Sequence, residues 1–428
     1  MVRELKHTEI GDIPVDWEIQ TFEETFKILS NNTLSRENIN NRGGAVRNIH
    51  YGDVLTQFSE VLKCNEEEIP YINDLSLLSS STQLLQDGDL IIADTAEDET
   101  VGKATEVQGL GNGKLVAGLH TIPCRVKKGD FAPGWLGYYM NSHMYHDQII
   151  PYVTGIKVSS ISKSAIAKTL IAIPPIDEQK QIVKILSQID ILIQKEKKVA
   201  EKIMAVKRAC LSKMFPKNGE SVPEIRLPRF YGAWEQRKVT ELGEIYIGLV
   251  TTMTSHYTDH GALLIRNSDI KDSCFKFGNE PIYLDEDFAK QNSSRKHKVG
   301  DVITVHTGDI GTSAVITEKE AGSIGFATIV TRPYKDKITS DYLCVYLNTD
   351  THKNFAINIS TGDGRNNYNL KDYYECVVPV PSIAEQEKIS EFIKNLNNLI
   401  TLHQRKCEKY IRIKSGLISM LISVKKQT

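Results

Sequence analysis

The chain has 428 residues, of which 40% are hydrophobic and 25% are charged, and its formal net charge is −2. This composition predicts a soluble globular protein of two or three domains. No apolar run reaches the roughly 18 residues of a membrane span, and no signal-peptide core is present, so we expect a cytoplasmic location. The seven cysteines form no Cys-x-x-Cys pair, which argues against a zinc site or a disulfide framework.

In chain order, residues 1–175 read as short strands joined by polar and glycine-containing turns. Residues 176–216 follow as a long amphipathic helix, which prolines and a glycine then end. Residues 217–381 repeat the pattern of short strands, and residues 382–428 form a second long helix. We therefore predict an α+β fold in which two pseudo-repeated globular domains are joined by two long antiparallel coiled-coil helices.

The two globular regions share short motifs in the same order. DGDLIIA at 87–93 matches VGDVITV at 299–305, a Gly-Asp turn that leads into a buried strand. GLHT at 118–121 matches GFAT at 325–328 in the second region. Each region also places an Arg-Asn pair at the end of a short apolar run. We expect these two Arg-Asn pairs to be equivalent.

Each long helix carries a seam that steps by three and four residues, the period of a coiled coil. The second seam follows the first at one constant offset without an insertion, and both helices begin with Glu-Gln. If facing residue numbers sum to about 602, Glu196 faces Lys406 across an antiparallel pair. The seam is represented by Ile182, Ile189, Leu192, Glu196, Ile203, Leu396, Leu399, Lys406, Tyr410 and Ile413.

Length and charge indicate what the helices are for. About 32 residues at 1.5 Å each make a rod of roughly 48 Å, which exceeds one turn of B-DNA at about 34 to 36 Å. Residues 176–217 and 382–428 together carry a net charge of +10, whereas the remainder of the chain carries −12. The basic excess favours an anionic or acidic partner near the helices. The alternative is that the lysines only solvate the outer face of a coiled coil.

The sequence predicts neither catalytic nor metal-binding residues. GLGNGKL at 109–115 resembles a phosphate-binding loop only loosely, because Leu115 stands where Ser or Thr should bind magnesium. A nuclease-like Glu-x-Lys begins at Glu178, but its counterpart in the second half reads Glu-Gln-Glu, so a helix start explains it better. The histidines show no metal-ligand spacing, and no Asn-Pro-Pro-aromatic motif of an amino-methyltransferase occurs.

The ordered set of motifs resembles the specificity subunit of type I restriction-modification enzymes. Each half opens near Trp-Glu, passes through the Gly-Asp strand and a Thr-Gly loop, and ends in a proline-bounded strand before Glu-Gln and a long helix. The resemblance implies that each globular part is a target recognition domain that reads one half of a bipartite site in double-stranded DNA. The helices then act as a ruler for the gap.

The same resemblance implies the partners of the chain. Two methyltransferase (modification) subunits dock on the helices, and two restriction or motor subunits join the full complex. S-adenosylmethionine, ATP and magnesium belong to those partners, so we expect no cofactor in this chain. Because the globular parts are acidic, we expect the chain alone to bind DNA weakly. The alternatives are a stand-alone DNA-binding regulator and a helical adaptor between proteins.

Base reading requires side chains that form paired hydrogen bonds at base edges, and the polar loops supply them. An internal structural role is the alternative for the two Arg-Asn pairs, because identical residues in two domains that read different bases favour structure. The candidates for DNA binding are Arg47, Asn48, Asp94, Thr95 and Lys157 in the first domain and Arg266, Asn267, His306, Thr307, Arg365, Asn366 and Asn367 in the second.

Overall fold

A computed structural model describes residues 4–155, 157–217, 219–278, 280–360 and 367–422. The chain divides into two compact units. The first unit comprises Met1–Glu196 with Lys406–Thr428, and the second comprises Lys197–Arg405. Each unit therefore contains one globular region together with a part of both long helices.

The first unit is an α+β assembly of short elements that leads into a long helix. Its elements are β1 Leu5–Thr8, β2 Gly11–Pro14, β3 Glu18–Thr21, α1 Phe22–Thr25, β4 Phe26–Ile28, β5 Ile39–Asn40, β6 Arg47–Ile49, α2 Tyr51–Thr56, β7 Val61–Lys63, β8 Tyr71–Ile72, β9 Leu90–Ala93, β10 Thr95–Ala96, β11 Ala104–Gln108, β12 Leu115–Ala117, β13 Thr121–Val126, α3 Trp135–Met140, α4 His143–Ile149, β14 Ser159–Ser160, α5 Lys163–Ile166, β15 Leu170–Ile173 and α6 Ile176–Lys213.

Two sheets form the centre of this unit. The first has the strand order β4-β13-β9-β11-β7, and the second has the order β12-β6-β8-β5. Strand β9 is buried along its whole length, as expected for a central strand that reads as a continuous apolar run. Trp17, Trp135 and Tyr139 pack into the same core as Leu186 of α6 and Ile418 of the second long helix. The core therefore includes both the sheet and the helices.

The second unit repeats this plan. Its elements are β16 Glu235–Lys238, β17 Gly243–Ile247, β18 Tyr257–Thr258, β19 Ala262–Arg266, β20 Ile270–Lys271, β21 Cys274–Phe275, β22 Tyr283–Leu284, α7 Glu286–Gln291, β23 Val302–Thr304, β24 Ser313–Val315, β25 Ile324–Phe326, β26 Ile329–Pro333, α8 Ser340–Leu347, α9 Asp350–Ile359, α10 Leu370–Tyr373, β27 Val377–Val380 and α11 Ile383–Ile422. Its main sheets have the orders β17-β26-β23-β24 and β18-β22-β19-β25. Phe215, Trp234, Tyr342, Ile389 and Ile393 share its largest core.

The long helices run antiparallel within the first unit. Nζ of Lys406 lies 3.8 Å from Oε1 of Glu196, and Nζ of Lys414 lies 2.5 Å from Oδ1 of Asp190. The residue number on α11 therefore rises as the number on α6 falls. The predicted facing of Glu196 and Lys406 is confirmed.

The buried face of the helices differs from a simple two-helix seam. Leu192, Leu399 and Ile413 are each more than a third exposed, whereas Ile182 is buried. The other six seam residues are partly buried, namely Ile189, Glu196, Ile203, Leu396, Lys406 and Tyr410. A 3.5-residue seam assumes one neighbour, but in each unit the helices also pack against the globular region. The inner face is therefore shifted, and it includes residues such as Leu186.

A buried glutamine attaches each long helix to its globular region. In the first unit, Nε2 of Gln179 donates to the carbonyls of Pro174 and Asp130, and Oε1 accepts from the N–H of Ala132. Gln386, the equivalent residue of the repeat, makes the same three contacts, with Pro381, Lys337 and Thr339. The Glu-Gln motif at each helix start is therefore structural.

Replacing Gln386 with Ala should lower the free energy of unfolding by about 2–4 kcal/mol, because one buried and two partly buried backbone groups lose their partner. Chemical denaturation, followed by a spectroscopic signal from the second unit, measures this change in the free energy of unfolding. The matched control is Glu387→Ala at the next, exposed position, which should stay within about 0.5 kcal/mol of the parent. Equal destabilisation by both changes would contradict this role of the glutamine.

Candidate nucleic-acid interface

Polar residues of the first unit gather where several strands meet at one edge. Strand β9 ends at Ala93 and is followed by Asp94, and its antiparallel neighbour β13 begins directly after His120. Strand β6 ends nearby, so that the N–H of Tyr51 donates to the carbonyl of Leu119 at 3.2 Å. Because strand ends terminate the backbone ladder, the side chains that follow them project from the sheet edge. This edge is the candidate site of the first domain.

Three side chains contact one another at this edge. Oγ1 of Thr95 donates to Oδ1 of Asp94 at 2.8 Å and lies 3.2 Å from Nδ1 of His120. Nδ1 of His120 is also 3.3 Å from Oδ1 of Asp94, and the ring of Tyr51 meets the His120 ring edge-on at 5.3 Å. Thr95 pairs with Ser160 across β10 and β14. The predicted residues Asp94 and Thr95 therefore lie together.

The second unit builds the same edge from different side chains. Strand β23 ends two residues before His306, and Oδ1 of Asn267 accepts from the N–H of His306 at 2.8 Å. Nδ1 of His306 lies 2.7 Å from Oγ1 of Thr307, which donates to Oδ1 of Asn367 at 3.0 Å. Nδ2 of Asn267 donates to the carbonyl of Ala327 at 3.2 Å. Four predicted residues of the second domain are therefore brought together.

Burial affects the imidazoles at these edges. Burial lowers the pKa of His50, beside Tyr51, and the positive charge of Arg36 adds to this effect. Burial also lowers the pKa of His306. Both rings are therefore favoured in the neutral form at pH 7, in which one ring nitrogen donates and the other accepts. A neutral imidazole can thus both donate and accept a hydrogen bond.

Equivalent positions in the two edges hold different residues. Asp94 corresponds to His306, and Ser160 corresponds to Asn367, which occupies the same place in the repeat. His120 corresponds to Ala327, and both adopt a left-handed backbone, with φ of 55° and 48°. A left-handed backbone at a residue other than glycine is strained and persists only where the surrounding structure imposes it. The frame is therefore the same in both domains, whereas the side chains on it differ.

The expected equivalence of the two Arg-Asn pairs is wrong. Arg47 lies at the start of β6, whereas Arg266 is the last residue of β19. The residue that matches Arg266 is His50, since each is followed three positions later by an aspartate that caps its backbone N–H. Strands β6 and β19 have similar composition, but their Arg-Asn pairs lie three residues apart in the shared frame. The position of Asn267 is therefore held by Tyr51 in the first domain.

The internal contacts of the Arg-Asn pairs favour a structural role. Nη1 of Arg47 donates to the carbonyl of Cys64 at 2.7 Å, and Asn48 is fully buried against Asn32. Arg266 places its guanidinium against the buried carboxylate of Asp269 at 2.9 and 3.0 Å. These arginines are used within the domain. Their polar groups are therefore not presented freely at the sheet edge.

The remaining predicted residues fall into two groups. Lys157 is exposed on the loop that precedes β14. Arg365 and Asn366 lie outside the residues that the structure describes. The neighbouring Asn367 is described and forms a bridge with Thr307 at the edge.

Three residues at the first edge were missed by sequence reasoning. Tyr51 and His120 contact each other, and the half-exposed Arg36 bonds Asp53 at 2.5 Å beside them. The alignment of GLHT with GFAT contained a signal, because His120 and Ala327 differ inside an otherwise similar segment. A difference within a constant frame marks a position whose side chain the frame does not fix. Arg36 gave no such signal in its long polar loop.

Metal ligands and membrane spans are both missing from the described part of the chain. The described residues contain no group of three or more His, Cys, Asp or Glu side chains that could hold a metal ion. Among the helices that the structure describes, none combines the length and apolar character that crossing a membrane requires.

The sequence model of one family matches this chain twice. That family is described as the type I restriction modification DNA specificity domain, and the matches cover residues 14–205 and 231–410. The chain belongs to this family. Each match contains one globular region and most of the long helix that follows it, so the DNA specificity domain occurs in two copies. The restriction-modification resemblance seen in the sequence is therefore confirmed.

Relatives along the full length agree with the family. A protein of Methanocaldococcus jannaschii, provisionally named the type I restriction enzyme MjaX specificity subunit, is 23% identical over 426 residues, which is 98% of this chain and 96% of the relative. The crystal structure of the type I restriction-modification S subunit from M. genitalium is 12% identical, covers both chains completely and has a TM-score of 0.52.

A further solved chain comes from a structure that addresses complex assembly and conformational transition of the type I R-M system. It is 15% identical, with coverage of 96% of this chain and 98% of that chain, and its TM-score is 0.56. At this low identity, the two solved structures show only that this chain shares their fold. The α+β architecture with two long helices agrees with that fold.

Replacing Arg266 with Leu separates a structural role from base reading. We expect the free energy of unfolding to fall by about 2 kcal/mol, because the buried carboxylate of Asp269 loses its charged partner. The double change with Asp269→Asn should recover part of this loss, since no buried charge then remains. If the single variant unfolds as the parent does and loses only DNA affinity, Arg266 is a reading residue instead.

Proposed function

We propose that this chain is the non-catalytic DNA-reading subunit of a type I restriction-modification complex. Residues 1–175 and 217–381 each read one half of a bipartite site in double-stranded DNA. Residues 176–216 and 382–428 set the gap between the halves and bind two modification subunits. Two restriction or motor subunits complete the assembly, and S-adenosylmethionine, ATP and magnesium bind to the partners. We infer a cytoplasmic location, where this DNA is accessible.

The observation that carries this proposal is the pair of equivalent edges. Each edge offers side chains that can donate and accept hydrogen bonds, and the two sets differ in chemistry. Asp94 accepts from a base such as cytosine, whereas an amide such as Asn367 suits adenine. Two domains with one frame and different polar groups are what reading two different half-sites requires. The edge residues in each domain are our candidates for the base contacts.

The surface of the helices supports the docking of partner subunits. Leu192 on α6 and Leu399 on α11 are exposed at equivalent positions of the repeat. Val206 and Ile413 form a second equivalent pair of exposed apolar residues. The two members on each helix are separated by two heptads, so they share one helix face. Exposed apolar positions at heptad spacing favour the addition of helices from a partner.

The charges of the chain fit this division of labour. The helices are basic, and the rest of the chain is acidic. A protein that bound DNA alone would carry its positive charge on the reading domains, because phosphate contacts supply most of the affinity. We infer that the modification subunits supply much of the phosphate contact, while this chain supplies the choice of sequence.

Exchanging residues 1–175 for the corresponding region of another family member tests the modular function. We expect the methylated DNA motif to change in one half only, because each half is read by one domain. Genome-wide mapping of methylated adenine in cells with the parent chain, the exchanged chain and no chain gives the result. Deletion should abolish one bipartite motif. Unchanged methylation after deletion, or a change in both halves after the exchange, would refute the proposal.

The docking face can be tested without touching the reading edges. The double change Leu192→Glu with Leu399→Glu should weaken binding of the modification subunit at least about tenfold, since each buried leucine contributes about 1.5–3 kcal/mol. The matched control places the same charges at Ala205 and Gln404, exposed positions that lie about 140° around the helix from Leu192 and Leu399. Co-purification and calorimetry measure the binding. Equal affinity of the test and control variants would place the docking face elsewhere.

A further inference from the structure

One buried lysine of α11 contacts three different parts of the first unit. Nζ of Lys414 lies 2.5 Å from Oδ1 of Asp190 on α6, and it also contacts Oε2 of Glu60, directly before β7. The ring of Tyr138 on α3 lies 5.4 Å from Nζ, and its hydroxyl donates to Oδ2 of Asp190 at 2.5 Å. We call Glu60, Tyr138, Asp190 and Lys414 the lysine cluster.

The lysine cluster is a buried and charged contact. The side chain of Lys414 is 8% exposed. Burial by itself opposes its charge, but the attraction of Glu60 and Asp190 outweighs burial and raises the pKa of Lys414. Removing the lysine would leave two carboxylates with little access to water, which typically costs about 3–5 kcal/mol. The cluster therefore strongly favours the arrangement in which Lys414 meets both carboxylates.

Apolar contacts alone would define the position of α11 less sharply. A shift of α11 by one turn or by one heptad would bring another residue to the place of Lys414, and none of these residues carries a positive charge. Most of them are apolar and could fill the space. The residues are Cys407, Tyr410, Ile411, Leu417, Ile418 and Leu421. A shifted helix would thus retain much apolar packing, but Glu60 and Asp190 would both lose the ammonium that contacts them.

The second unit has a weaker version of this contact. Lys207 occupies the position of the repeat that matches Lys414, and its Nζ is 2.7 Å from Oδ2 of Asp272. The side chain of Asp272 is 41% exposed, so solvent screens this pair. The equivalents of Tyr138 and Asp190 are Val345 and Asn397, which supply neither a hydroxyl nor a second carboxylate. The buried cluster of four residues is specific to the first unit.

We propose that the lysine cluster fixes the axial position of α11 on the first domain, and thereby fixes the number of unread base pairs between the half-sites. This inference rests on the spacer role proposed above. Lys414 is a positioning residue, because it acts on the spacing and not on the bases. A buried polar contact within an otherwise apolar helix pair is an established means of specifying register.

The dimensions of helix and DNA fit this role. One helical turn advances about 5.4 Å, and one base pair of B-DNA advances about 3.4 Å. A one-turn shift of α11 therefore corresponds to about one and a half base pairs. Loss of the cluster should permit binding to sites whose gap differs by one or two base pairs from the preferred gap.

The test is a triple variant, Glu60→Gln, Asp190→Asn and Lys414→Met, assembled with its modification subunit. It removes all three charges of the cluster together, and neutral replacement of buried ion groups usually preserves or increases stability. Methylation rates are measured on DNA with the same half-sites and gaps altered by one or two base pairs. We expect the preference for the natural gap to fall at least about tenfold, with the thermal midpoint maintained.

Two further variants support the comparison. Tyr138→Phe removes only the hydroxyl that holds Asp190, and it should reduce the gap preference about threefold without unfolding the chain. Lys207→Met with Asp272→Asn removes the screened pair of the second unit and should change the preference less than the triple variant does. If the triple variant fails to fold, Tyr138→Phe decides the question.

The outcomes separate the two proposals. A folded triple variant, or a folded Tyr138→Phe variant in its place, that keeps the parent's gap preference would overturn the role of the cluster. A parent complex that methylates all gaps equally would instead overturn the spacer function itself. A general loss of rate with an unchanged ratio between gaps would show that the cluster contributes only stability.

Discussion

The attachment of each long helix to its globular region depends on one buried side-chain amide. The amide of Gln179 bonds the carbonyl before the helix start and two backbone groups of the loop that precedes α3. The amide of Gln386 makes the same bonds in the repeat, where the loop precedes α8. Because one buried amide bonds both the helix start and the loop, the direction of the helix and the position of the loop are coupled. Residues that do not take part in this attachment can then vary while the domain keeps its position on the helix.

The constant attachment of the helices leaves the two proposed DNA-reading edges free to differ. Each edge follows from strands that are fixed by the sheet, and the backbone even keeps the same left-handed residue at 120 and 327. The side chains beyond those strands make few demands on the fold, so the proposed base contacts can differ between the two domains. Arg266 is bound within the domain, because its guanidinium pairs with the buried carboxylate of Asp269. His306 and Thr307, by contrast, lie within the edge itself.

The repeat made much of this predictable from sequence. A shared offset placed both helix starts and the Gly-Asp strands, and the facing of Glu196 and Lys406 followed from antiparallel pairing. The inner helix face was less accessible, because a seam pattern counts one neighbour and these helices have two. At the edges, the identical Arg-Asn pairs led to a wrong prediction of equivalence. The counterparts are Tyr51 and Asn267, which share no chemistry and are related only through the capping aspartates that follow them.

The two units also differ in how they hold the helices, and this difference follows from solvent access. In the first unit, a lysine is enclosed by two carboxylates and a phenol, so every displaced position leaves charge buried. In the second unit the corresponding lysine has a half-exposed partner, which water can satisfy after displacement. The length of a helix determines the largest distance that it can span. The position at which the rod is held depends on polar contacts, because apolar residues on successive turns can replace one another and a buried cation cannot be replaced.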